Sequence, residues 1–242
     1  MNDSSEDIRK TPPEQLLLDL TRDPALSRDD LVATSTNRAA VALIDSWPNW
    51  LAPVAVIHGP EGSGKSHLAA IWQDRTSARA ITAGAIGNEA IEAAMRGGSI
   101  LIEDIDGGAF DQTGLFHLMN AVRQGGGFLL VTARATPANW PITLPDLISR
   151  LRSVALASID PPDDALLEAV LAKLFSDRQI GIDPVVTAYL VPRMKRSLSE
   201  ARRLVDAIDR RAFANRAAVT RPLAADVLRA LQQSGEEEPD AD

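Results

Sequence analysis

The apolar positions of the chain change period several times, and each change marks an element. Val54, Val56 and Ile57 form the short apolar run of a buried strand, and Lys65–Arg75 after it has helical spacing. Upstream, Ala40, Val41, Leu43 and Ile44 give Asn37–Ser46 a helical stripe that Ser35 or Thr36 can cap and Pro48 ends. Trp47 and Trp50 pack the turn that follows. Further strands are expected at Ala80–Thr82, from Ser99, at Phe128–Thr132 and at Val154–Ile159. Between them lie helices over Glu89–Met95, Asp111–Gln124 and Pro145–Leu151. The second of these carries Leu115, Leu118, Met119 and Val122 on one face, and Gly125–Gly127 stops it. Strands alternating with helices predict an α/β fold, a parallel sheet covered on both faces.

The pattern changes at Pro161-Pro162. Beyond it only helical periods remain, over Asp163–Arg178, Pro184–Val191, Ser197–Asn215 and Pro222–Gln232. The expected division is a flexible segment 1–22, a core 23–160, a small helical domain 161–234 and a disordered acidic tail 235–242. Within the first segment, Gln15-Leu16-Leu17-Leu18-Asp19-Leu20 alternates leucines. That suits an extended peptide laid into a groove, or an edge strand of the core.

Charge changes this picture little. The net charge is −8, but five acids crowd Gly235–Asp242, and Met1–Glu14 has four acids against Arg9 and Lys10. The body between is close to neutral, so no domain-wide basic surface announces nucleic-acid binding. One local excess stands out: nine basic residues face three acids between Arg193 and Arg221. Most such runs are solvated faces, though part of this one can meet phosphate or an acidic partner. The chain has no cysteine, which excludes disulfides and thiolate metal sites. His58, His67 and His117 lack metal-ligand spacing and read as structural. No apolar run approaches the ~20 residues of a membrane span and the polar start is unlike a secretory signal, so a cytoplasmic protein is expected.

The chemistry gathers in two stretches. Gly59-Pro60-Glu61-Gly62-Ser63-Gly64-Lys65-Ser66 fits G-x-x-x-x-G-K-[ST], between a strand and a helix as a P-loop must be. Glycines let backbone N–H groups turn inward around phosphates, and the helix N-terminus adds partial positive charge. Lys65 can reach the β- and γ-phosphates, and the Ser66 hydroxyl can ligate Mg²⁺. The second stretch, Ser-Ile-Leu-Ile-Glu-Asp-Ile-Asp over Ser99–Asp106, delivers carboxylates to the phosphate edge of the sheet. Of Glu103 and Asp104, one would hold the Mg²⁺ shell and the next would orient water; Asp106 reads as a loop residue. At the end of Phe128–Thr132, a polar side chain in Thr132-Ala133-Arg134 can sense a γ-phosphate.

These motifs, in this order, resemble the AAA+ ATPases, and within them the DnaA initiators and their Hda relatives, the regulatory inactivators of DnaA. The likeness runs from Gln15 to Gln233. Its specific pieces are Gln15–Leu20, similar to the sliding-clamp-binding motif of Hda proteins, together with Asn37, Leu147-Ile148-Ser149-Arg150-Leu151, Val205–Arg210 and Thr220-Arg221-Pro222. Only an acidic tail is read after Gln233, so the resemblance is expected to fall on the side of Hda, which lacks the helical DNA-binding domain of DnaA.

The resemblance implies a five-stranded AAA+ core with a C-terminal lid. It implies ADP or ATP with Mg²⁺ held by Gly59, Pro60, Glu61, Gly62, Ser63, Gly64, Lys65, Ser66 and His67, with Asn37 and Thr132, the metal on Ser66 and Glu103. Catalytic roles fall on Arg150, matching an arginine finger that acts in a neighbouring subunit, and on Glu103 and Asp104. Gln15, Leu16, Leu18 and Leu20 would bind the DNA polymerase III sliding clamp, with DnaA as the second partner, DNA reached indirectly, and a homodimer possible. The implied function is stimulation of hydrolysis of DnaA-bound ATP, at the replisome, with weak ATPase activity of its own. Two positions depart from the pattern. The strand ends Glu103-Asp104 rather than Asp first, and the lid's sensor arginine position falls on Ser199, with Arg196, Arg202 and Arg203 as possible substitutes. An autonomous ATPase of the helicase-loader type is the alternative. A P-loop small-molecule kinase is disfavoured by the clamp-like peptide and the helical lid.

Overall fold

The computed structural model describes residues 27–84 and 86–236; the clamp-like peptide Gln15–Leu20 and the acids beyond Glu236 lie outside them. Five strands, β1 (Val54–His58), β2 (Arg79–Ile81), β3 (Ile100–Ile102), β4 (Leu129–Ala133) and β5 (Ala155–Ser158), form one sheet in the order β2-β3-β4-β1-β5. Every pairing is parallel, with Ile57 beside Thr132 and His58 beside Ala133 at the end that matters below.

The three central strands are apolar but for His58 and Thr132 toward their carboxyl ends, because both faces are buried. Their alternate side chains feed different cores. Val54, Val56, Ile100, Ile102, Leu129 and Val131 pack with Leu115, Leu118, Val122, Leu147 and Leu151, from helices α4 (Gln112–Gly125) and α5 (Pro145–Leu151). On that side α3 (Asn88–Met95) lies against α4. Ala55, Ile57, Leu101 and Leu130 pack on the opposite face with Ile44, Leu68 and Trp72, from α1 (Arg38–Asp45) and α2 (Lys65–Thr76). Below this face Trp50 stacks on Trp72 at 5.5 Å and meets the edge of Phe128, so the tryptophans of the Trp-Pro turn are packing residues.

The small domain holds α6 (Asp164–Asp177), α7 (Pro184–Leu190), α8 (Leu198–Asn215) and α9 (Arg221–Glu236). Leu167, Leu171, Phe175, Leu190, Leu204, Val205, Ile208 and Leu228 make its separate core. Asp163, Asp183 and Ser197 cap α6, α7 and α8 by accepting from the N–H groups of Leu166, Val185 and Glu200. The Arg178 guanidinium ties α6 to α8 through Asp206.

Several sequence boundaries move. β2 starts at Arg79 rather than Ala80, because as a short edge strand with Arg79 and Ala80 exposed it carries little apolar signal. β3 keeps only its three apolar residues. α9 runs to Glu236, two residues into the segment expected to be a disordered tail. At α1 the N-cap is Asn37, not Ser35 or Thr36, and its side chain caps nothing. Its Oδ1 accepts from Thr34 N (2.8 Å) and its Nδ2 donates to Val32 O (2.9 Å), so this buried amide braces the chain entering the helix.

Candidate nucleotide site

The Gly59–Ser66 loop leaves β1 at the carboxyl edge of the sheet and ends in the first turn of α2. Gly64, at φ +104°, is the N-cap of α2, and Gly62 lies at φ +69°. Both angles fall in the left-handed region that a side chain penalises. Gly62 is also closed off sterically: a Cβ there would stand 2.0 Å from Ser197 Oγ at the start of α8. Leu198 N donates to Gly62 O across the same contact (2.7 Å), so the small domain grips the loop through the backbone.

Lys65 is buried, and its Nζ donates to Gly59 O (2.9 Å) and Pro60 O (3.0 Å). Burial pushes its pKa down, and the nearby Asp104 carboxylate pulls it back up; Arg134 opposes, and Asp106 and Glu61 assist. An ammonium held out of water on two neutral carbonyls is short of counter-charge. Ser63 Oγ is buried with no hydrogen-bond partner, and the Ser66 hydroxyl is exposed and makes no hydrogen bond among the described residues. A buried cation, an orphaned hydroxyl, left-handed glycines and a helix N-terminus fit a polyphosphate. The His67 ring is differently employed. Its Nε2 donates to Ser27 O (3.1 Å), and burial lowers its pKa, with Arg202 opposing protonation, so its contribution to the cradle is its place in the first turn of α2.

Glu103 and Asp104 leave β3 on the exposed edge. Asp104 sits at φ +46°, where its N–H donates to Thr132 Oγ1 (2.9 Å). Asp104 is the carboxylate felt most strongly at Lys65, and Glu103 does not figure among the charges acting there. Thr132 itself is wholly buried, with its oxygen accepting that bond, so it pins the two strand ends together.

Asp106, expected to be a loop residue, has a larger part. Its carboxylate accepts from Arg134 N (2.8 and 3.0 Å) and Ala135 N (2.7 Å), fixing the chain just past β4. The Arg134 guanidinium reaches Glu61 in the loop at 3.7 Å. Neither partnership is readable from spacing, since Asp106 and Arg134 lie 28 residues apart.

Among the lid positions, Ser199 lies at the cradle, its Oγ 2.7 Å from that of Ser197. Arg196 pairs with Asp164 (2.7 Å) and Arg203 with Glu200 (3.9 Å). Arg202 is half-buried beside His67 and makes no ion pair among the described residues. Arg150 stands apart, in the last turn of α5, partly buried and without an ion pair among the described residues; the Asp146 pairing that the spacing allows is not formed. Beside it a groove of about 550 Å³ is lined by Trp140, Ile142, Ile148, Leu151 and Leu156. No cluster of three metal-ligating side chains occurs among the described residues. No described helix is long and apolar enough to cross a membrane.

No protein-family model matches the sequence, and no curated protein matches it. Solved structures do. Domain III of the Thermotoga maritima replication initiation protein DnaA superposes with a TM-score of 0.70 at 18% identity, over 86% of this chain and 97% of that one. The replication initiator DnaA bound to AMPPCP and single-stranded DNA gives 0.65 at 16%, over 80% and 67%. The Thermotoga maritima RuvB Holliday junction branch migration motor gives 0.64 at 17%, over 85% and 72%. At such identities the likeness carries the fold alone: an α/β core with a five-stranded parallel sheet, shared with these DnaA and RuvB structures.

Proposed function

We propose that this protein is a nucleotide-bound regulator of replication initiation of the Hda kind, which docks on the DNA-loaded sliding clamp and stimulates hydrolysis of DnaA-bound ATP. The nucleotide half rests on the loop: a buried Lys65 with only neutral acceptors and an unpartnered Ser63 hydroxyl await a polyphosphate. ADP or ATP would be held by the Gly59–Ser66 loop. Mg²⁺ would bind to Ser66 and the Glu103–Asp104 pair, with Asp104 the better placed of the two acids. The bound cation would neutralise phosphate charge, and Lys65 would add to that.

The regulatory half rests on one observation. Arg150 carries a charge with no partner in its own chain among the described residues, on a short helix flanked by an apolar groove and by exposed Ile148 and Leu156. A guanidinium so placed suits delivery to the phosphates of a neighbouring subunit. In GTPases an arginine finger is worth about 10³–10⁵ in rate. Docking on the clamp is assigned to Gln15, Leu16, Leu18 and Leu20 on the strength of their resemblance to the clamp-binding motif.

The experiment is an assay of hydrolysis of DnaA-bound ATP with clamp loaded on DNA. Arg150→Ala should keep fold, nucleotide and clamp binding yet lose the stimulation. Equal stimulation by variant and wild type would remove Arg150 from the mechanism. Stimulation by neither, with DNA-dependent turnover of ATP by the chain alone, would favour an autonomous ATPase of the helicase-loader type.

A further inference from the structure

We infer that Ser27–Asp30 is a strap that holds the small helical domain against the nucleotide cradle, that the Asp30–Lys173 ion pair is its latch, and that this latch sets how fast nucleotide leaves. The inference rests on the nucleotide-binding reading and concerns the regulation of that site.

The strap is one turn of 3-10 helix, Arg28–Asp30, with Ser27 ahead of it. Two contacts hold it to the core. Arg28 donates twice to the Asp45 carboxylate at the end of α1 (3.0 and 2.7 Å). The Ser27 carbonyl accepts from Asp30 N (3.2 Å) and from His67 Nε2 (3.1 Å), one residue past Ser66 in the first turn of α2. A third contact crosses to the small domain. Lys173 Nζ, on α6, stands 2.8 Å from Asp30 Oδ1, while Asp30 Oδ2 accepts from Ser27 Oγ (2.6 Å). One carboxylate therefore joins the strap both to itself and to the lid.

Burial sets this pair apart. Its side chains are 31% and 23% exposed, and no other ion pair among the described residues has both partners below a third. Water screens it less than it screens the surface pairs. The hydrogen bond from Lys173 pulls the Asp30 pKa down, and the same bond raises that of Lys173. Burial lowers the pKa of Arg202 on α8, against which Asp206 and then Asp30 act, so Asp30 faces cations from two helices of the lid.

The lid also meets the core where Leu198 N donates to Gly62 O, with Ser197 and Ser199 packed on Gly62. One hold is a pivot; two holds fix an angle. The shared apolar core and the Arg178–Asp206 contact join α6 to α8, so a hold on α6 keeps α8 seated on the loop. With the latch open, the lid turns about Gly62 and the side of the cradle beside His67 is uncovered. Residues 1–26 join the fold at this strap, which puts the latch between that end of the chain and the nucleotide.

Release of ribose-labelled fluorescent ADP, bound with Mg²⁺ to the full chain and chased with unlabelled ADP, tests this. Lys173→Met should speed release about three- to fivefold, and Lys173→Arg should stay within about twofold of wild type. Asp177→Asn is the control: it takes from Lys173 a partner on the same helix (3.3 Å) that does not cross to the core, and should leave release unchanged. In an Asp30→Asn background, Lys173→Met should have no further effect. Amide exchange gives a second readout. ADP should slow exchange at Asp30 N and Leu31 N, which close the strap's turn, and Lys173→Met should abolish that protection. Unchanged release from Lys173→Met would overturn the latch while the nucleotide reading stands. So would equal acceleration by Asp177→Asn, or a full effect of Lys173→Met without Asp30, since either would place the action of Lys173 inside the lid. Failure of the wild-type chain to bind ADP would overturn the nucleotide reading, and this inference with it.

Discussion

Replacing Asp106 by alanine removes the acceptor that holds the end of β4 to the loop after β3. Two N–H donors lose a charged partner: Arg134 N, shared between both carboxylate oxygens at 2.8 and 3.0 Å, and Ala135 N at 2.7 Å. A hydrogen bond to a charged group contributes about 1.5–3 kcal/mol. Water can take over at the solvent-exposed Arg134 bond, so most of the loss falls on the partly buried Ala135 N–H. The expected destabilisation of Asp106→Ala is about 2 kcal/mol. For a chain of this length that corresponds to a fall in Tm of roughly 4–8 °C. Asp106→Asn keeps an acceptor oxygen and loses the charge, and should cost about half as much. Urea unfolding followed by tryptophan fluorescence measures both, with m unchanged because the strand ends stay joined by Asp104 N to Thr132 Oγ1 and Ile105 N to Thr132 O. A midpoint for Asp106→Ala equal to wild type would refute the reasoning. So would an alanine variant no weaker than the asparagine one, since the charge and the acceptor are what the geometry says matter.

Two further outcomes follow from the same site. Lys65→Ala should abolish binding of ADP and ATP in a calorimetric titration yet leave the ligand-free Tm no lower, because burial outweighs the nearby carboxylates and the ammonium donates only to neutral carbonyls. His67, whose pKa burial lowers, contributes stability that is present above its unfolded value of 6.5 and lost as pH falls through the folded value. Urea midpoints from pH 8 to 5 should therefore decline in the wild type and decline less in His67→Gln; parallel slopes would remove His67 from the acid sensitivity.

What the sequence made legible was whatever local physics dictates. The glycines and lysine of Gly59–Ser66 need one backbone shape and one neighbouring helix, and Ile100-Leu101-Ile102 can only be a strand buried on both faces. The five-stranded parallel sheet and the four helices after Pro161-Pro162 were legible for the same reason, long runs with a single period. Partnerships across the chain were not. Nothing at Asp106 announces two N–H groups beyond β4, and Asn37 looks like a cap until its amide is found bracing Val32 and Thr34. Spacing allowed an Arg150–Asp146 pair that the structure does not form, although it forms Arg96–Glu92 and Lys173–Asp177 at the same spacing. The order Glu103-Asp104 looked reversed, and nothing in it announces the left-handed backbone that Asp104 adopts.

The hydrogen bond from Leu198 N to Gly62 O joins main chain to main chain. Side-chain substitution cannot delete it; only proline at position 198 would take away the donor. The lid and the sheet have separate apolar interiors and, left alone, would melt as two bodies. This clasp fuses them at the one loop where a ligand would sit, so whatever rigidifies Gly59–Ser66 also protects helices that never touch it. In ligand-linked unfolding, the four helices of the lid would register phosphate occupancy as slower amide exchange, making the far end of the molecule a remote gauge of the near one.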